Sequence, residues 1–260
     1  MRLIRHRAPL QWAFALLAAL AGAAAPAASV PAPAAAQARL YLTTEHSPPT
    51  SMMVAGVPGG SSTDKVRDVM ARTGTAYDIT MLPWKRAYTA ALQRPDACVY
   101  STTRTPDREK LFKWVGPLDE GEWMLFARAD RTFSLHSIED ARGLRIGTYN
   151  GDARDEFLRG HGFTVDAAQD DSVNPQKLLM GRIDVWAVSV RAGRASVLQK
   201  MWSDRIVPVL SFHRIGVYLA CNRAVPDALV ARMNEALGAM ARESGARRID
   251  RRFDKGLPPP

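Results

Sequence analysis

Strand-like and helix-like segments alternate along almost the whole of this 260-residue chain, and that alternation narrows the folds open to it. From Arg39, "RLYLTT" reads as a strand. "STDKVRDVMARTG" reads as a helix capped by Ser62 or Thr63 and closed by Gly74. "AYDITML" is strand-like, Pro83 opens the helix "PWKRAYTAALQ", and "ACVYS" is a strand. A second round begins near Glu122. Its strands are "WMLFARA", "LRIGTYN", "TVDAA", "IDVWAVS" and "IVPVLSF". Its helices are "DARDEFLRGHG", "NPQKLLMGR" with an Asn174 cap, and "VRAGRASVLQKMW". The chain closes with a strand, "VYLACNR", and an amphipathic helix from Pro226 carrying Leu229, Val230, Met233, Leu237 and Met240. Strands joined by crossover helices predict sheets covered by helices, arranged here as two α/β lobes.

The N-terminus is of another kind. Arg2, Arg5 and Arg7 precede an apolar stretch and an Ala/Pro-rich segment ending in "AQA", the pattern of an export leader cleaved before Arg39. The apolar stretch is shorter than a membrane span requires. Cleavage removes three arginines and no acid from a chain of formal charge +9, so the product stays moderately basic. Its lysines and arginines are interspersed with acids, which argues against nucleic acid as a partner. About 220 residues remain, enough for two lobes with real cores. The two cysteines, Cys98 and Cys221, each sit in an apolar strand-like run. In an oxidising compartment they form either one disulfide or two small buried hydrophobes.

In open α/β sheets, ligands bind beyond the carboxyl ends of strands. Three strand-to-helix turns compete for that role. "STTRTPDREKLFKWVGP" offers the hydroxyls of Ser101 and Thr103 and the guanidinium of Arg108, an anion grip or else a capped surface helix. "TYNGDARDEF" offers Asn150, Gly151 and Asp152, with Asp152 also suited to cap a helix. "LPWKRAY" places Trp84 at a helix start, either stacked on a ligand or packed in the core. The five histidines are dispersed, and G-x-S-x-G, P-loop and G-x-G-x-x-G patterns are absent from the sequence. Asp119, Glu120 and Glu122 read as a solvated acidic turn. Neither a metal nor a cofactor is expected.

With these segments in view, the chain resembles the periplasmic solute-binding proteins of the polar amino-acid type. These are the receptors of ABC importers, related to the ligand-binding domains of receptors. The residues that carry the resemblance are "TTEHSPP", "ALQRPDACVYSTTRTPDREKLFKWVGP", "LRIGTYNGDARDEFL", "LLMGRIDVW" and "VPDALVARMNEALGAM". "PWKRAY" with "RTPDRE" and "FKWVGP" matches an orphan proteobacterial subgroup most closely. The resemblance implies a two-lobed (type II) fold. Residues 39–120 form the first lobe, 121–214 the second, and 215–260 return to the first. It also implies that Arg108 binds a ligand carboxylate assisted by Thr103, and that Trp84 stacks on the ligand. Asn150, Gly151 and Asp152 would close from the second lobe, with Glu45 at the end of the first strand. The family's ammonium-binding aspartate falls on Ser189, which carries no charge. That role then passes to Glu45 or Asp152, or the ligand lacks an α-ammonium group. The expectation is therefore an exported, monomeric, non-enzymatic binder of a small carboxylate-bearing solute, serving a membrane permease or receptor. The rivals are a prephenate- or arogenate-dehydratase-like enzyme on the same scaffold, and a sensory subunit.

Overall fold

Eight strands hydrogen-bond into one continuous mixed sheet, in the order β4-β1-β5-β10-β6-β9-β7-β8. The computed structural model describes residues 39–255, so the leader expected over residues 1–38 lies outside the described residues. The strands are β1 (Leu40–Thr44), β4 (Tyr77–Met81), β5 (Ala97–Thr103), β6 (Lys113–Arg128), β7 (Ile146–Tyr149), β8 (Val165–Ala168), β9 (Val185–Ser189) and β10 (Ile206–Cys221). A small hairpin, β2 (Met52–Val54) and β3 (Val57–Gly59), stands apart. The helices are α1 (Ser61–Thr73), α2 (Trp84–Gln93), α3 (Ala153–Gly160), α4 (Asn174–Leu179), α5 (Val190–Gln199), α6 (Asp227–Arg242) and α7 (Gly245–Phe253). No helix among the described residues is long and apolar enough to cross a membrane.

At each end of the sheet three strands run parallel: β4-β1-β5 at one end and β9-β7-β8 at the other. Between them lie β6 and β10, two 16-residue antiparallel strands that serve both ends. The sequence reading splits β10 into "IVPVLSF" and "VYLACNR", leaving His213–Gly216 between them. The structure runs it through, with register shifts near Pro208, Ser211 and Val217 that absorb the irregular residues.

Each end has its own core. In the first half, α1 presents Val66, Val69 and Met70 at helical spacing, and α6 presents Leu229, Met233, Leu237 and Met240. They pack together over Leu40, Leu42, Cys98 and Tyr100 of the sheet. Burying each such side chain contributes roughly 1.5–3 kcal/mol before the entropy of ordering is counted. Lys65 is buried among them, its ammonium held by Asp250 at 2.8 Å and by the Leu118 carbonyl at 2.8 Å. The second half is cored by Leu125, Ile146, Leu158, Phe163 and Val185, with Trp186 and Leu178 on the sheet's other face.

Three local expectations change. "TPDREK" is a single 3-10 stretch, Pro106–Leu111, rather than an α-helix, and the Arg108 N–H is taken by the Thr105 carbonyl. Gly60, not Ser62 or Thr63, caps α1, and Thr63 turns its hydroxyl to the Gly59 carbonyl and Tyr100. Asn174 begins α4 but spends its amide on Thr148 O and Asp171 across the turn, so it braces the strand end rather than capping the helix.

Cys98 and Cys221 are bonded to each other, which settles the two readings of the pair. They face each other across the β5–β10 register, with Cα atoms 3.9 Å apart.

Candidate functional site

The carboxyl ends of β1, β5, β7 and β9 converge on one cleft, floored by the middle of β6 and β10. From the first half come Glu45, Ser47, Thr50, Ser101 and Thr103. From the second come Asp152, Arg154, Ser189 and Arg191, and from the long strands Asp119, Glu120, Glu122 and Trp123.

Ser101 reaches the cleft through a bulge. Opposite Leu219 the strand β5 carries two residues, Tyr100 and Ser101, and Ser101 adopts φ 61°. That conformation costs a non-glycine residue roughly 1–3 kcal/mol and re-aims its side chain. The Ser101 hydroxyl then joins a chain of hydroxyls, 3.1 Å from Ser51, which accepts from Thr44 at 3.2 Å.

Across the cleft, Asp152 caps α3. It accepts from the Arg154 N–H at 2.8 Å and from Arg154 Nε at 2.6 Å. Arg154 is only 7% exposed and also lies 3.7 Å from Asp171, itself held by Trp186 Nε1 at 2.9 Å. Burial pushes the Asp152 carboxyl up, but Arg154's charge and hydrogen bonds outweigh it and hold it below its ordinary value. Asp171 ends up raised, because burial exceeds what Arg154, Asn174 and Trp186 return. Glu45 is pushed well up, first by burial and then by the charge of Asp152, with Arg154 opposing. Burial and Asp152 thus work against the ionised form of Glu45, and Arg154 works for it. Above its ordinary value of 4.5, ionisation of Glu45 costs the folded state stability as pH rises through its raised value. Glu45→Gln should melt above wild type at neutral pH, with the difference vanishing below about pH 4 in thermal denaturation.

The nine residues expected to face a ligand divide into groups. Glu45, Ser101, Thr103, Asp152 and Ser189 lie together on the cleft wall. Trp84, Arg108 and Gly151 meet beside it, in the contact between the halves, and Asn150 gives its N–H to Ala168 O at the end of β7. Trp84 is 2% exposed, so its core reading describes its packing. Its Nε1 donates to Gly151 O at 2.8 Å and its N–H to the Tyr149 hydroxyl at 2.9 Å. At Gly151 φ is 74°, in the left-handed region that favours glycine. Arg108 is fully enclosed rather than aimed into the cleft, because its Nη2 is bound to Glu156 at 2.7 Å.

Sequence reasoning missed both arginines of the cleft. Arg154 and Arg191 are each the second residue of a helix, α3 and α5, where a cation opposes the helix dipole. That mismatch is the signal that marks them. Arg191 is held by Asp119, by Asp254 at 2.7 Å and by Asp250 at 3.6 Å. Asp119, Glu120 and Glu122, expected in a solvated turn, instead run along β6 and line the cleft, because β6 crosses directly between the halves.

Residues 41–255 match the bacterial extracellular solute-binding proteins, family 3. The chain belongs to that family. No curated protein sequence matches it. Among solved structures, this solute-binding protein is similar to a histidine kinase sensor domain described as resembling periplasmic binding proteins (18% identity, 85% of this chain and 98% of that chain, TM-score 0.76). It is also similar to ArgBP from T. maritima (16% identity, 84% and 96%, TM-score 0.74). A third is an ancestral arginine-binding protein bound to glutamine (20% identity, 83% and 97%, TM-score 0.73). At these identities the likeness speaks for the fold: two-lobed, α/β, of the periplasmic-binding type.

Proposed function

We propose that this solute-binding protein is exported and captures a small, amino-acid-like, carboxylate-bearing solute in the cleft, for delivery to a membrane ABC importer. The carrying observation is that both signs of charge converge there from opposite halves: Glu45 beside the hydroxyls of Ser101 and Thr103, facing Arg154. Glu45 takes the ammonium group left without an aspartate at Ser189, since Asp152 is already committed to Arg154. Arg154, with the two hydroxyls, takes the carboxylate. The halves, residues 39–120 with 215–255 and residues 121–214, close on the solute and exclude water. This strengthens both contacts.

Isothermal titration of the leader-free protein with the common amino acids, each beside its decarboxylated amine, tests the proposal. The expected result is at least one amino acid binding about tenfold or more tightly than its amine, the usual worth of a charge-assisted carboxylate contact. Equal binding of acid and amine removes the carboxylate from the assignment, and binding of neither overturns it. Because a sensor domain shares this fold, a second reading is presentation of the closed form to a membrane kinase. Reconstitution with a permease separates the two: stimulated ATP hydrolysis supports import.

A further inference from the structure

The contact beside the cleft joins four residues that belong to different halves. Arg108 follows β5 and Trp84 opens α2 in the first half. In the second, Gly151 precedes the Asp152 cap of α3 and Glu156 lies within that helix. Arg108 Nη2 donates to Glu156 Oε2 at 2.7 Å and lies 3.4 Å from Gly151 O, the same carbonyl that Trp84 Nε1 reaches at 2.8 Å. The guanidinium lies 4.9 Å from the ring centre of Tyr88 and 5.7 Å from that of Trp84. Both rings favour a cation. Its Nε and Nη1 are buried without a hydrogen-bond partner, and its side chain does not reach the cleft wall.

We infer that Arg108 is a positioning residue that clasps the two halves through Glu156 and Gly151, and that Glu156 occupies the place a ligand carboxylate would take on this arginine. An always-charged guanidinium buried in a wall needs an anion. Here the protein supplies that anion itself, from the half that must arrive for the cleft to close. When the halves part, Arg108 loses Glu156 and the Gly151 carbonyl together. The contact therefore favours the closed form whether or not a solute is present. A solute in the cleft must then find its own cation, and this rests on the reading of the cleft given above.

The rival is that Glu156 merely keeps the fork until a solute displaces it. The two accounts predict opposite signs for Glu156→Gln, a change at a half-exposed side chain that leaves the cores intact. A clasp predicts weaker solute binding, about three- to tenfold, because less of the population is closed. A displaceable plug predicts tighter binding of carboxylate solutes. The measurement that needs no solute is electron–electron resonance between spin labels at Leu92→Cys and Met180→Cys, exposed positions on opposite halves. The native disulfide is kept oxidised for this experiment. With a clasp, Glu156→Gln shifts the distances towards longer values, and Glu156→Asp restores part of the wild-type distribution. An unchanged distribution overturns the clasp, as does tighter binding of whichever of L-arginine, L-glutamine or L-glutamate binds wild type. If none of the three binds, the distance measurement by itself decides the clasp, while the reading of the cleft is decided by the titration with the common amino acids.

Discussion

Reducing the Cys98–Cys221 disulfide should lower the melting temperature by on the order of 10 °C. The bond joins residues 123 positions apart. In the chain-entropy account, closing a loop of that size destabilises the unfolded ensemble by about 4–5 kcal/mol. For a domain of this length, each kcal/mol moves the melting temperature by about 2–4 °C. Both cysteines are fully buried in the core of the first half, on neighbouring antiparallel strands. The bond therefore ties the returning strand β10 to β5 within one half and leaves the halves free to part. Calorimetry of the oxidised and fully reduced protein checks this. A difference below about 2 °C would show that the unfolded chain is already constrained elsewhere. Solute affinity measured below both melting points should change little.

Arg154→Met should be more damaging per atom than any other change in the cleft. Its guanidinium lies among Asp152, Asp171 and Glu45, and removing it leaves three acids facing one another in a part-buried site. Breaking a buried charge network by deleting one partner typically costs about 3–5 kcal/mol. The pH dependence has a definite sign. In wild type, Asp152 is held below its ordinary 3.8, so it contributes stability above that pH that is lost as pH falls through its depressed value. The variant lacks this contribution, so its deficit should be largest near neutral pH and shrink in acid, where the carboxyls are protonated. Denaturant titrations at pH 7 and at about pH 3, below the ordinary value of Asp152, read this directly. An equal deficit at both would mean the arginine acts through packing alone. Solute binding should be lost at either pH.

How much of this was legible beforehand can be judged residue by residue. The strand-end rule located Thr103 and Asp152, because it depends only on the order of strands and helices, whereas Glu45 and Ser189 were named through the family resemblance. Ser101 was legible as a residue, but the bulge that turns it inward was not. A bulge is a mismatch between two strands whose paired residues lie 114 to 123 positions apart in sequence, and one strand alone does not record it. The acids of β6 read as a turn because Asp119, Glu120 and Glu122 carry no apolar strand pattern. Pairing with β10 makes that stretch a strand, and it lines the cleft although Glu120 stays exposed.

The amino-acid sequence by itself determined the repeated strand–helix order, the two apolar cores and the residues available at the turns. These follow from local periodicity and capping chemistry within windows of ten to twenty residues. The tertiary structure alone decided which of those residues meet. It paired Cys98 with Cys221, gathered Arg154 and Glu45 into one charged cleft, and joined Arg108 to Glu156 rather than to open space. A charge can be read from a single residue. Its partner depends on how strands far apart in the chain lie in the sheet, and that is set by the packing of the whole molecule.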